Sequence, residues 1–92
     1  MTAMIQRRIK IVNEKGLHAR ASAKLVEVVE GFDASAEVSR DGLSASGDSI
    51  MGLLMLAASR GTTVDIETSG PDAEALADAI EALIADRFGE DD

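Results

Sequence analysis

His18 is the only histidine among 92 residues, and the run Gly16-Leu17-His18-Ala19-Arg20-Ala21-Ser22 sets it two positions ahead of an arginine. An imidazole nitrogen with a free lone pair is a nucleophile near neutral pH, because free histidine titrates near pH ~6.5. A neighbouring guanidinium offers a fork of donors to phosphoryl oxygens. If residues 19–21 open a helix, their unpaired amides add further donors at the positive end of the helix dipole. That dipole is worth about 0.3–1 kcal/mol when exposed and up to ~2 kcal/mol when partly buried, a modest hold that suits a group to be passed on. These residue types therefore point to capture of an anion at His18, assisted by Arg20 and by the amides of Ala19, Arg20 and Ala21. Taken alone, a lone histidine beside glycine and leucine is more often a solvated or satisfied loop residue, and Gly16 and Leu17 have plain readings as turn and core.

The elements that must hold this heptapeptide are legible in the hydropathy pattern. Residues 5–12 alternate as a strand, with Ile5, Arg7, Ile9 and Ile11 on one side, while Val12 breaks the pattern on the polar side. Residues 13–16 read as a loop. Residues 19–30 have helical spacing, with Ser22, Val26 and Val29 on one stripe, Ala21, Leu25 and Val28 beside it, and Gly31 as a stop. Residues 34–40 and 43–46 are short strands around Asp41-Gly42, a pair suited to a tight hairpin. Residues 50–58 form a short apolar helix, 62–68 a half-buried strand, and 73–88 a last helix marked by Ala73, Leu76, Ile80, Leu83 and Ile84. Pro71 fits the first turn of that helix, with Asp72 and Glu74 at its positive end. The order is β-α-β-β-α-β-α in a single domain, residues 1–92, with flexible ends expected at about 1–4 and 89–92.

Ser49 precedes the short helix as a natural N-cap, worth roughly 0.5–2 kcal/mol locally. Behind it, Ile50, Met51, Leu53, Leu54, Met55 and Leu56 are more apolar than a short surface helix needs. Core packing accounts for Leu53 and Leu56. Ile50, Met51 and Leu54 are candidates for an exposed patch, where a soft methionine adapts to several partners.

Composition narrows the classes. Net charge is −8, but residues 1–31 carry six Lys/Arg against three Glu, whereas residues 32–92 carry three against fourteen acids. Nucleic-acid binding is not expected from such a chain. The basic residues Lys15, Arg20 and Lys24 are left to meet an acidic partner or a phosphate. No apolar run is long enough to insert into a membrane, no signal-peptide pattern opens the sequence and there is no cysteine, so a cytoplasmic location is expected. One histidine among scattered carboxylates makes no metal site.

Gly16-Leu17-His18-Ala19-Arg20, then Ser22-Ala23-Lys24-Leu25-Val26, with Ser49-Ile50-Met51-Gly52 about 30 residues on, closely resemble the motifs of the histidine-containing phosphocarriers. These are the HPr proteins of phosphoenolpyruvate-dependent phosphotransferase systems, and the resemblance spans roughly residues 5–88. It implies an α+β, two-layer open-faced β-sandwich, with a four-stranded antiparallel sheet of order 1-4-2-3 covered on one face by three helices. It implies a phosphocarrier that accepts a phosphoryl group on Nδ1 of His18 from an enzyme I-type protein and passes it to a histidine of an enzyme IIA-type protein. Arg20 would stabilise the transferring group, and Ser49 matches the serine modified by an HPr kinase/phosphorylase in regulated branches. Ile50, Met51, Leu54 and Lys24 match the docking face. The resemblance implies a monomer without cofactor or metal. Many relatives have proline directly after the arginine, where this chain has Ala21; alanine keeps the helix and adds an amide that proline lacks.

Two other classes compete. A stand-alone enzyme would need a substrate cavity, a second acid–base group or a nucleotide loop, and the sequence offers none in evident form. A nitrogen-related or signalling branch member, acting as a phosphorylation-dependent regulatory binding module, is the alternative that the acidic bias and Ala21 leave open.

Overall fold

Four strands pair in the order β1-β4-β2-β3, every neighbour antiparallel, in a computed structural model that describes residues 4–90. The strands are β1 (Met4–Lys10), β2 (Ser35–Arg40), β3 (Leu43–Ser46) and β4 (Thr63–Ser69). The helices are α1 (Ala19–Glu30), α2 (Ile50–Met55) and α3 (Ala73–Ala85), followed by a single 3-10 turn at Arg87–Gly89.

Register fixes which face is buried. Ile9 lies opposite Val64, and Val38 lies opposite both Ile66 and Ala45, so these side chains form one apolar sheet face beneath the helices. Leu25 of α1, Leu53 of α2 and Leu76, Ile80 and Ile84 of α3 close the core from above. The opposite sheet face is open and polar, with Arg8 Nε donating to Asp65 Oδ1 at 3.0 Å and Gln6 Nε2 to Glu67 Oε2 at 2.9 Å. The architecture and strand order are those implied by the resemblance.

Arg7 interrupts the apolar side of β1 for a reason. It reaches Asp78 (3.0 Å) and Glu81 (2.8 Å) on the outward side of α3 and ties that helix to the edge strand. The hydrogen bonds to Asp78, then Glu81, raise its pKa further above the ordinary arginine value, so the tie keeps its cation at any physiological pH.

Boundaries move where local chemistry differs from pattern. Strand pairing continues past β1, since the Ile11 N–H donates to Thr62 O and the Gly61 N–H to Ile11 O, both at 2.8 Å. The Asp41-Gly42 turn has positive φ at both residues (51° and 83°), the mirror-image turn a two-residue hairpin requires. α2 stops at Met55 rather than residue 58, because Ala57 takes a left-handed conformation (φ 51°) and Arg40 Nη1 donates to the carbonyl of Leu56 at 2.9 Å. Pro71 falls before α3, not in its first turn; Asp72 occupies the N-cap position and accepts from the Asp33 N–H at 2.9 Å.

The last helix is also shorter than its periodicity predicts. It ends at Ala85, and Arg87, Phe88 and Gly89 then adopt φ of 56°, 54° and 75° in succession. This reversal drives Phe88 fully into the core. Left-handed backbone costs a non-glycine residue roughly 1–2 kcal/mol, and the burial of an aromatic ring outweighs it. Of the ends expected to be flexible, Met4 opens β1 and Gly89 and Glu90 pack against the rest of the domain, while residues 1–3, 91 and 92 lie outside the described residues.

Phe88→Ala is expected to lower unfolding free energy by about 3–5 kcal/mol, the usual cost of emptying an aromatic core site. Urea denaturation followed by circular dichroism measures it, and a loss below ~1 kcal/mol would remove Phe88 from the core.

Candidate functional site

The loop after β1 is shaped by a buried asparagine and a glycine. Asn13 is fully buried, and its Nδ2 donates to Gly16 O at 2.9 Å, closing a tight turn. Gly16 has φ +64°, and a Cβ there would lie 2.3 Å from Ala58 O and 2.8 Å from Ser59 Cα. Only glycine fits so close a passage. The next amide, that of Leu17, donates to Ala58 O at 2.9 Å while its side chain is buried.

This docking delivers His18 to the start of α1 as its N-cap, in extended conformation (φ −79°, ψ −177°). The first turn closes when the Ser22 N–H donates to His18 O at 2.8 Å. The amides of Ala19, Arg20 and Ala21 precede that bond and have no intrahelical acceptor. An N-cap side chain commonly takes up one of these amides, but the imidazole makes no such bond. The helix start therefore keeps its donors for another anion.

The ring is instead engaged at Nε2. Nε2 of His18 contacts Oε2 of Glu90, the pair being 27% and 13% exposed. The other carboxylate oxygen of Glu90 accepts from Asn13 Nδ2 at 3.1 Å. Asn13 thus bridges the Gly16 turn and Glu90, while its own Oδ1 is buried with no protein partner among the described residues. A carboxylate only accepts, so Nε2 is the donor, and in the neutral ring Nδ1 then carries the lone pair.

Arg20 is exposed on the first turn of α1 and shares an open cleft of about 740 Å³ with His18, Lys15, Lys24, Glu14 and Glu90. Three basic side chains against two carboxylates give the cleft a positive balance. Lys24, expected on the docking face, is half-buried, and its Nζ donates to Phe88 O at 2.6 Å, securing the C-terminal turn. Ala21 is fully buried, and α1 begins at Ala19 without the proline.

The second constellation lies on α2, which packs against α1. Ser49 caps α2, its Oγ accepting from the Gly52 N–H at 3.1 Å. Ile50 and Met51 are exposed, Leu54 is half-buried, and Leu53 and Leu56 are in the core. Met55, one turn beyond Met51 on the same side, is 75% exposed and belongs to this apolar patch, as its i, i+4 spacing could have indicated. Asn13 and Glu90 are site residues that sequence reasoning missed; Glu90 lies 72 residues from His18 with no motif around it. Among the described residues, no group of His, Cys, Asp and Glu could hold a metal ion, and no helix is long and apolar enough to cross a membrane.

Comparison with known proteins points one way. Residues 5–86 match the family model described as the PTS HPr component phosphorylation site. The phosphocarrier protein HPr of Cupriavidus necator is 52% identical over 87 residues, covering 95% of this chain and 98% of that protein. The phosphocarrier protein NPr of Escherichia coli is 36% identical over 88 residues, with the same coverage. The crystal structure of HPr-C-His from Thermoanaerobacter tengcongensis superposes with a TM-score of 0.90 at 34% identity, covering 95% of this chain and 98% of that one.

The Gly16 passage is testable by adding one methyl group. Gly16→Ala is expected to cost about 1–3 kcal/mol of stability through strain and displacement of residues 58–59. In a proton–nitrogen NMR spectrum it should shift the Leu17, His18 and Ala58 amides most. A variant as stable as wild type with those amides unmoved would refute the close approach.

Proposed function

The chain belongs to the HPr family, whose members carry a phosphoryl group from an enzyme I-type donor to an enzyme IIA-type acceptor on a histidine, and we propose that here this group resides on Nδ1 of His18. The observation that carries the reading is the ring's placement: an N-cap imidazole bound through Nε2, with its own helix amides left unclaimed. Nδ1 attacks phosphorus as the donor's nitrogen–phosphorus bond breaks, and the same exchange runs in reverse at the acceptor. The amides of Ala19, Arg20 and Ala21 receive phosphoryl oxygens, and the exposed Arg20 follows them through transfer. The proposal takes a monomer as the working unit and places its work in the cytoplasm.

The exposed Ile50, Met51 and Met55, with the half-buried Leu54, form the docking patch in this reading. Ser49 stands at its edge, half-buried and already bonded to α2. Phosphate added there by an HPr kinase/phosphorylase would bring about two negative charges beside apolar side chains that must desolvate against a partner. The modification thereby acts on docking while His18 remains intact.

Incubation with phosphoenolpyruvate and an enzyme I-type phosphotransferase, followed by intact mass, is expected to add one acid-labile phosphoryl group to wild type and none to His18→Ala. A phosphoryl group retained by His18→Ala overturns the assignment. Ser49→Asp keeps a good N-cap and should fold normally, yet it should accept phosphoryl groups from the same donor at least about tenfold more slowly, the scale of a few kcal/mol of charge desolvation. Acceptance at the wild-type rate would refute regulation through this residue.

A further inference from the structure

Met51 and Met55 carry their thioether sulfurs on successive turns of α2, 71% and 75% exposed, within the apolar patch that a partner must cover. We infer that these two sulfurs are a modification site for hydroperoxides, and that their conversion to sulfoxides withdraws the patch from partners while the fold and His18 stay intact. The inference rests on the reading of that patch as the docking face.

Composition and placement support it separately. The chain has four methionines and no cysteine, tryptophan or tyrosine, so its sulfur chemistry with an oxidant is confined to thioethers. Met1 lies outside the described residues, and Met4 opens β1, at the opposite edge of the sheet from β3, against which α2 packs. The helix that carries the other two does not depend on them. It is held by the Ser49 cap, by the buried Leu53 and Leu56, and by the bond from Arg40 to the Leu56 carbonyl. Neither Met51 nor Met55 belongs to the buried core, so an oxidant reaches both without unfolding the domain and disturbs no interior packing.

A sulfur lone pair attacks one oxygen of the hydroperoxide, the oxygen–oxygen bond breaks, and a sulfur–oxygen bond forms. The proton of the transferred oxygen passes to the departing hydroxide or alkoxide, so the sulfur is oxidised to the sulfoxide and the peroxide is reduced to water or an alcohol. Two thiols of a reducing enzyme reverse the step, taking the oxygen off as water and becoming a disulfide. The sulfide is soft and apolar, whereas the sulfoxide is polar and chiral. Pressing it against an apolar partner surface without a donor carries the desolvation cost of an unpaired polar group. Residues i and i+4 share one helix face, so both oxygens fall within a single contact. Ser49 caps the same helix, and phosphate there acts on this surface by charge where oxidation acts on it by polarity.

Wild type and the double variant Met51→Leu/Met55→Leu, each treated with hydrogen peroxide and mapped by peptide mass for added oxygen, separate this role from general oxidative damage. Leucine keeps the patch apolar and close in volume, and Met1 and Met4 remain in both proteins as internal controls. Wild type oxidised at Met51 and Met55 should accept phosphoryl groups from an enzyme I-type donor with kcat/KM lowered about tenfold, the scale of one side chain's lost apolar contact. Its rate at saturating protein and its urea midpoint should not change. The treated double variant should keep its kcat/KM, and sulfoxide reductases acting on both epimers should restore wild type. Transfer by oxidised wild type at the untreated rate, an equal loss in the double variant, or a rate that stays low once the mass has returned to the unoxidised value overturns the inference. An untreated Met51→Asp variant that transfers normally would instead sink the docking reading beneath it, and the map of added oxygen would still report which sulfurs peroxide reaches.

Discussion

The backbone of residues 16–18 passes so close to residues 58–59 that a single methyl group cannot be accommodated between them. That contact fixes His18, because the Leu17 amide is bonded to Ala58 and His18 follows at once as the N-cap of α1. The position of Ala58 is itself set by the sharp end of α2, where Ala57 is left-handed and Arg40 of β2 holds the Leu56 carbonyl. Sheet, hairpin and short helix thereby transmit their geometry to one imidazole. The precision of the site is a property of packing rather than of local sequence preference.

Charges of both signs surround that imidazole. Backbone amides and Arg20 lie toward the start of α1, whereas the carboxylate of Glu90 lies against Nε2. A helix N-terminus by itself attracts any small anion. In the function proposed for this chain, the imidazole at such a start makes it a place where an anion can be bound covalently and released again.

Much of this was legible in the sequence because the signals are local. Alternation in residues 5–11 and 62–68, the Asp41-Gly42 turn and the helical stripe of residues 19–30 each follow from neighbours within a few positions. The placement of His18 and Arg20 at the start of a helix and the capping role of Ser49 were legible for the same reason. The early end of α2 was not, since Ala57 carries no glycine signal and the bonds around its left-handed turn, from Arg40 to the Leu56 carbonyl and from Leu17 to the Ala58 carbonyl, come from distant parts of the chain. The reversal at residues 87–89 was equally hidden: Ala85-Asp86-Arg87-Phe88 continues an acceptable helix, and only the available core space makes Phe88 turn inward. Glu90 inherits its place from that reversal, so nothing in its own vicinity could disclose it.

The distance along the chain between His18 and its partners also has a consequence during synthesis. Ala58 lies some forty residues downstream and Glu90 seventy-two, so a ribosome exposes His18 long before it has made the groups that seat it. Closure of the hydrophobic interior and alignment of the imidazole consequently coincide. A nascent or half-folded copy has the histidine but not the setting that residues 58 and 90 give it.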